Sequence, residues 1–253
     1  MSVGARDRID AVLVHRGLAA SLEQAERLVR SGAVLVDDRC VDKPGTRISE
    51  DASVRLRGAP ARFVSRGGLK LKGALDDFEL SVEGMRCLDV GIGTGGFTDC
   101  LLQAGAAHVT GVDVGYGDVA WRIRNDPRVQ LLERTNFRIL DVAKLGPPFD
   151  LAVVDCSFIS LELLLQNLAD ALVPDGELLT LIKPQYEASP DQIQAGGLVA
   201  DPEVREQVRL RIEKVAQSYG FAPIRAIDST VPGARSGNVE WFVRFHLNSG
   251  STQ

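Results

Sequence analysis

Leu88-Asp89-Val90-Gly91-Ile92-Gly93-Thr94-Gly95-Gly96-Phe97 is the stretch on which the reading of the fold turns. The strand-like run 87–90 enters a glycine-rich turn, and a helical pattern over 97–103 follows, stopped by Gly105. Strand, glycine turn and helix in that order are the setting in which a loop wraps a nucleotide. Glycine lets the backbone approach a ligand with no Cβ in the way, and a helix N-terminus offers N–H groups that have no partner in the helix. Outward from this loop, 108–114, 129–132, 151–154 and 178–182 read as further strands, and 161–172 as a helix with a strong apolar face. Asp201 caps a helix that has Pro202 at its first position and runs to about Tyr219. Such alternation predicts an α/β fold with a mostly parallel sheet and helices on both faces. The segments 224–227 and 240–245, joined through the turn-rich Pro232-Gly233 and Ser236-Gly237-Asn238, predict an antiparallel pair closing the sheet.

Residues 1–59 follow a different grammar and predict a small α+β module, with 60–66 as linker and 67–253 as the second domain. Arg8-Ile9-Asp10-Ala11-Val12-Leu13-Val14 is a short amphipathic helix ending near Gly17, and Ser21 with Gln24 forms a capping box for a second helix stopped by Gly32. Val34-Leu35-Val36, a turn at Asp37-Asp38-Arg39, and Val41 make a hairpin-like unit, and 54–57 alternates as a strand. Residues 1–66 hold twelve Lys/Arg against nine Asp/Glu, in a chain whose net charge is −5. A basic segment on an acidic body suits phosphate contact, though the excess alone is equally compatible with scatter. The order Arg8-Ile9-Asp10, Gly17-Leu18-Ala19, Ser21, Ala25, Leu28-Val29, Gly32-Ala33-Val34 and Val36 resembles the RNA-binding domain first described in ribosomal protein S-four, the αL motif. The resemblance implies that the second helix and the loop after it lie against structured RNA, with Arg27, Arg30 and Arg39 on phosphates. Arg8 and Arg66 are further candidates for RNA contact.

Composition excludes some classes. Hydrophobic residues make up 45% of the 253, enough for a sizeable core, and the longest apolar runs are too short to span a bilayer. The first residues meet polar sequence at once, so no apolar export segment is read and a cytoplasmic monomer is expected. Cys40, Cys87, Cys100 and Cys156 are far apart and the three histidines do not cluster with them, so no metal site is expected.

Asp113 ends the second strand of the larger domain, 22 residues beyond Gly91, where a carboxylate can accept from both hydroxyls of a ribose. Loop and carboxylate together fit a dinucleotide or S-adenosylmethionine equally. The form Asp-Val-Gly-x-Gly-x-Gly-Gly-Phe, with Asp89 ahead of the turn, resembles the S-adenosylmethionine loop more than the dehydrogenase fingerprint. That makes Asp89, Gly91, Gly93, Thr94, Gly95, Gly96, Phe97, Asp113 and Asp155 the candidate cofactor residues, with Asp89 facing the methionine amino group. Asn136, at the end of the third strand, is either an adenine contact or a turn residue.

Lys70, Asp155, Lys183 and Glu240 sit before the first strand, after the fourth, after the fifth and at the opening of the last. Each alone has an ordinary explanation as an exposed or ion-paired side chain. Together, in this order, they resemble the Lys-Asp-Lys-Glu tetrad of the FtsJ-like ribose 2′-O-methyltransferases. A ribose hydroxyl attacks poorly until its proton is removed, and a free lysine, with a pKa of about 10.4, cannot remove it at neutral pH. Burial and a second ammonium disfavour the charged form, so Lys183 is read as the base and Lys70 as the neighbour that tunes it.

Arg66-Gly67-Gly68-x-Lys70-Leu71, Gly95-Gly96-Phe97-Thr98, Asp113-Val114-Gly115-Tyr116-Gly117, Glu133-Arg134-Thr135-Asn136, Ser157-Phe158-Ile159-Ser160-Leu161, Lys183-Pro184-Gln185 and Gly237-Asn238-Val239-Glu240, behind the S-four-type domain, closely resemble the TlyA family over residues 8 to about 247. The resemblance implies 2′-O-methylation of a cytidine in ribosomal RNA on ribosomal subunits. It also implies a Rossmann-like sheet with an antiparallel last strand, and S-adenosylmethionine as cofactor. Tyr186-Glu187-Ala188-Ser189-Pro190 departs from the Phe-Glu-Val-Gly-Lys frequent in the family. Little sequence follows Leu247, which leans the expectation toward the large subunit. Members often carry a haemolysin label, yet no pore-forming segment is read here. The competing reading is an RNA-binding assembly factor that keeps the fold without the chemistry.

Overall fold

The computed structural model describes residues 6–37, 39–49, 52–57, 62–231 and 237–248. By compactness the chain divides into two units, Met1–Arg62 and Phe63–Gln253. Asp38 of the expected first turn, residues 60 and 61 of the expected linker and residues 232–236 of the expected last turn lie outside the described residues.

The first unit contains β1 (Arg6–Arg8), α1 (Ile9–His15), α2 (Leu22–Arg30), β2 (Val34–Val36), β3 (Arg39–Val41), β4 (Arg47–Ser49) and β5 (Val54–Leu56). Ser21 Oγ accepts from Gln24 N–H at the start of α2, but the Gln24 side chain accepts from Ala20 rather than from Ser21, so the capping box is half formed. β2 pairs antiparallel with β3 and β5, and β1 with β4. Ile9, Leu13, Ala25, Val29 and Val34 are fully buried between the helices and the sheet.

The second unit runs α3 (Arg66–Asp77), β6 (Arg86–Val90), α4 (Gly96–Gln103), β7 (His108–Val112), α5 (Trp121–Arg124), β8 (Val129–Leu132), β9 (Phe149–Val154), α6 (Leu165–Ala171), β10 (Leu172–Ile182), α7 (Pro184–Glu187), α8 (Pro202–Ser218), β11 (Phe221–Asp228) and β12 (Trp241–Leu247). Its seven-stranded sheet has the order β11-β12-β10-β9-β6-β7-β8. The run from β10 to β8 is parallel, and β12 is antiparallel to both its neighbours, as expected of the closing pair. The central strands are covered on both faces. Ala152 and Val154 of β9 pack with α6 and α8, while Leu151 and Val153 pack with α3 and α4. Strands buried on both sides read as continuous apolar runs, which is the pattern of the sequence here. The expected helix 161–172 breaks into a 3₁₀ turn, Leu161–Leu164, and then α6.

The order of strands sets the site. Gly91, Asp113, Asp155 and Lys183 each follow the carboxyl end of a parallel strand, the edge at which open α/β sheets bind ligands. Because β12 runs the other way, its first residue pairs with the last of β10 (Trp241 with Ile182), and Glu240 comes to the same edge as Lys183.

Candidate active site

Residues 91–96 curl over the end of β6 into α4. Gly91 has φ +87, and a Cβ there would stand 2.9 Å from the carbonyl oxygen of Asp155, so the turn closes onto the neighbouring strand end only as glycine. Gly96 is glycine for a different reason: a Cβ would meet Ser65 Oγ at 2.2 Å and the Gly68 nitrogen at 2.9 Å. Gly95, the left-handed N-cap of α4, likewise faces Ile123. Packing against α3 and α5, as well as access for a ligand, therefore explains this run. Phe97 is buried with its ring centroid 5.9 Å from that of Phe242.

Ser65, Arg66, Gly67, Lys70, the glycine loop, Asp155, Ser157 and Lys183 line one cleft of about 320 Å³, a size that suits a nucleoside-type ligand. Asp89 and Asp113 stand behind the loop rather than among the lining residues. Asp113 Oδ2 accepts from Gly93 N–H and Oδ1 from Gly115 N–H, each at 2.8 Å, which ties the glycine loop to the end of β7. Asp89 is fully buried. Its Oδ2 accepts from Thr98 N–H at 3.0 Å and Thr98 Oγ1 at 2.6 Å, while Oδ1 has no hydrogen-bond partner among the described residues. Burial pushes this carboxyl up to about 7, against the opposing pull of the Thr98 hydrogen bonds. Asn136 caps the 3₁₀ turn Phe137–Ile139 by accepting from Arg138 N–H at 3.1 Å, the turn role of its two expected ones.

The four tetrad side chains form two ion pairs. Lys70, in the second turn of α3, is paired with Glu240, and both side chains are largely buried. Lys183 Nζ lies 2.7 Å from Asp155 Oδ1 and donates to Cys156 C=O (3.0 Å) and Ser157 Oγ (2.9 Å). The contact with Asp155 is Coulombic more than directional, since Asp155 Oδ1 is buried and has no well-angled donor. The Glu240 carboxylate neutralises the Lys70 charge at the cleft wall.

Several site residues lie outside the expected set, although Ser157 and Asn238 belong to motifs that carry the family resemblance. Cys156 C=O and Ser157 Oγ hold Lys183, and Ser65 lines the cleft. Asn238 is fully buried, donating to Gln185 Oε1 (3.0 Å) and Gly197 C=O (2.8 Å) while accepting from Val199 N–H (2.9 Å). It joins the segment after Lys183 to the segment before Glu240. In the first unit, Arg27 and Arg30 lie exposed on α2, each paired with a glutamate one turn earlier. Arg8 holds the buried Asp10 through two hydrogen bonds, Arg39 is exposed in β3, and Arg66 lines the cleft of the second unit. Among the described residues, no group of three or more His, Cys, Asp or Glu could hold a metal ion, and no helix is long and apolar enough to cross a membrane.

The cleft has what an S-adenosylmethionine site needs: a glycine cradle and, on its wall, the Asp155 carboxylate. Residues 63–247 match the FtsJ-like methyltransferase family, and residues 7–54 match the S4 domain. The 16S/23S rRNA (cytidine-2′-O)-methyltransferase TlyA of Mycobacterium tuberculosis is 46% identical over 239 residues, covering 94% of this chain and 89% of that one. A solved structure from Streptococcus thermophilus, provisionally named a hemolysin, is 38% identical with a TM-score of 0.73, covering 98% of this chain and 92% of that one. An S-adenosylmethionine-dependent methyltransferase from Mesorhizobium loti shares the fold of the larger unit at 18% identity and a TM-score of 0.50, covering 70% of this chain and 97% of its own.

Proposed function

Since the chain belongs to the TlyA branch of the FtsJ-like methyltransferases, with an S4 domain ahead of the catalytic one, we propose that it methylates the 2′-hydroxyl of a cytidine in ribosomal RNA, in the cytoplasm, on the large subunit and also on the small. The observation that carries this reading is the convergence of the Lys183–Asp155 pair and of Lys70, itself paired with Glu240, on the cleft that the glycine loop lines. The small-subunit target rests on the M. tuberculosis relative, whose name gives both RNAs.

Gly91, Gly93, Thr94 and Asp155 would hold the cofactor, with Asp89 and Asp113 fixing the loop from behind. When bound, S-adenosylmethionine supplies a methyl group on a cationic sulfur, already activated for displacement. Lys183 takes the hydroxyl proton. A base must be neutral before it accepts, so transfer requires that Lys183 first release its own proton to solvent. Asp155, Cys156 C=O and Ser157 fix the direction of the amine. Lys70, anchored by Glu240, places a compensated positive group at the cleft wall, where it orients the ribose oxygen through a hydrogen bond.

The test is incubation with tritiated S-adenosylmethionine and ribosomal subunits lacking the modification, followed by mapping of the alkali-resistant nucleotide in each RNA. Label on a cytidine ribose in both subunits is expected. RNA binding without transfer would instead make the protein an assembly factor, and label on the large subunit alone would remove the small-subunit target.

A further inference from the structure

Glu187 is a carboxylate that the proposed chemistry does not use, yet its side chain is only 4% exposed. It ends α7, the single turn that begins directly after Lys183. Its Oε1 accepts from Leu161 N–H at 2.8 Å, and its Oε2 accepts from Ser160 Oγ at 2.8 Å and from Arg211 of α8 at 3.2 Å. Arg211 also donates to the Glu187 backbone carbonyl at 2.9 Å, so the carboxylate is held from behind as well. Burial raises this carboxyl above its ordinary range, opposed by the Leu161, Ser160 and Arg211 hydrogen bonds.

What Glu187 grips is the loop that carries the partners of Lys183. Residues 155–161 leave the end of β9. Asp155, Cys156 C=O and Ser157 Oγ meet Lys183, while Ser160 and Leu161 meet Glu187. Phe158 lies between the two grips with φ +65, in the left-handed region, and the residue is 81% exposed. A bulky residue in that region is strained and persists only where its surroundings over-determine it. The Phe158 ring makes a tilted contact, 5.1 Å between centroids, with Tyr186, which also belongs to α7. The side chains that hold the loop on both sides of the strained residue thus come from Lys183 and the turn that follows it.

We propose that Glu187 is a positioning residue: by fixing the far end of this loop to α7, it keeps Cys156 and Ser157 where they aim the Lys183 amine. The proposal rests on the reading of Lys183 as the base. Without the carboxylate, the far end of the loop loses its hydrogen bonds at Ser160 and Leu161 and keeps only the packing of Leu161 in the core, and relaxation of Phe158 moves two of the three acceptors of Lys183. A displacement of about 1 Å at a reacting group costs roughly 100-fold in rate. Glu187 does not line the cofactor cleft, so cofactor binding stays as it was.

The experiment compares the full-length wild type, Glu187→Ala, Glu187→Gln and Lys183→Ala in methyl transfer to ribosomal subunits, with amide exchange of Leu161 followed by NMR. For Glu187→Ala we expect kcat to fall by about 30- to 100-fold, KM for S-adenosylmethionine and for RNA to stay within twofold, and Leu161 exchange to speed up while the strand amides do not. Glu187→Gln keeps one carbonyl acceptor and falls between the two. A kcat of Glu187→Ala within twofold of wild type overturns the proposal, as does a loss expressed in the RNA KM with kcat retained. If Lys183→Ala turns over as wild type does, the base assignment fails, and the proposal fails with it.

Discussion

Asp89 shows how one buried side chain can write a pH dependence into the fold. Its value is about 7 in the folded chain because burial disfavours the charge, against 3.8 for an exposed carboxyl. Between those two values the folded state keeps a proton that the unfolded state has lost, so stability falls as pH rises through this window and is level above about 7. Asp89→Asn keeps an oxygen for Thr98 and removes the charge. We predict that the wild-type melting temperature, measured relative to that variant without ligand, drops by several degrees between pH 5 and 7.5, a slope of up to about 1.4 kcal/mol per pH unit. Parallel curves for the two proteins would show that Asp89 is not the titrating group. A second prediction concerns Lys183. Lys183→Ala removes the proposed base but no part of the glycine cradle. Transfer is expected to fall by about 10³-fold or more, with calorimetric affinity for S-adenosylhomocysteine within threefold of wild type. Turnover at the wild-type rate would end the base assignment.

At the scale of elements, the glycine turn after β6 depends on its neighbour. Gly91→Ala forces a Cβ to 2.9 Å from the Asp155 carbonyl at φ +87, and both the backbone conformation and the strand end have to yield. A loss of about 2 kcal/mol or more in unfolding free energy is expected. Methyl transfer should fall further than cofactor affinity does, because Asp155 itself moves; urea denaturation and calorimetry read the two separately. Unchanged stability would mean that the turn relaxes freely. The turn was legible in the sequence, as was the strand alternation, because apolar runs and glycines are local signals. α3 was not marked, although Leu71, Ala74, Leu75 and Phe78 recur at helical spacing, since the Gly67-Gly68 pair reads as a connector. β10 begins at Leu172, six residues before the expected start, because Pro174, Asp175 and Gly176 read as a break but are carried inside the strand as an irregularity with Asp175 at φ +63. β1 and β4 are three residues each and have no apolar alternation to announce them. In the site, the tetrad was legible as residue types: three beside strand ends, with Lys70 ahead of the first strand. Its pairing was not: Lys70 meets Glu240 because β12 runs against β10, and Lys183 meets Asp155 because β9 and β10 are neighbours in the sheet. A backbone acceptor such as Cys156 C=O leaves no mark on a residue type at all.

Across the whole molecule, charge is divided unevenly, with the small basic unit preceding an acidic one in a chain of net charge −5. The acidic body repels a polyanion on average, so the S4 domain has to contribute phosphate contacts for RNA to bind at moderate salt. Its exposed arginines on α2 are paired with Glu23 and Glu26 across one helical turn. Such exposed pairs are worth only about 0.3–0.5 kcal/mol each, and a phosphate can displace the glutamate at little cost. The combined variant Arg27→Ala, Arg30→Ala, Arg39→Ala is therefore expected to raise the RNA KM at least tenfold at physiological salt, while kcat at saturating RNA and affinity for S-adenosylhomocysteine stay within twofold. The dependence of log Kd on log salt should become shallower by about 0.7–0.9 for each phosphate that the variant no longer neutralises, so a change of roughly two to three in slope is expected if all three arginines take part. Filter binding from 50 to 300 mM salt measures this directly. A variant with the wild-type slope and KM would place the phosphate contacts of the S4 domain on other residues, while leaving the methyl-transfer assignment of the second unit untouched.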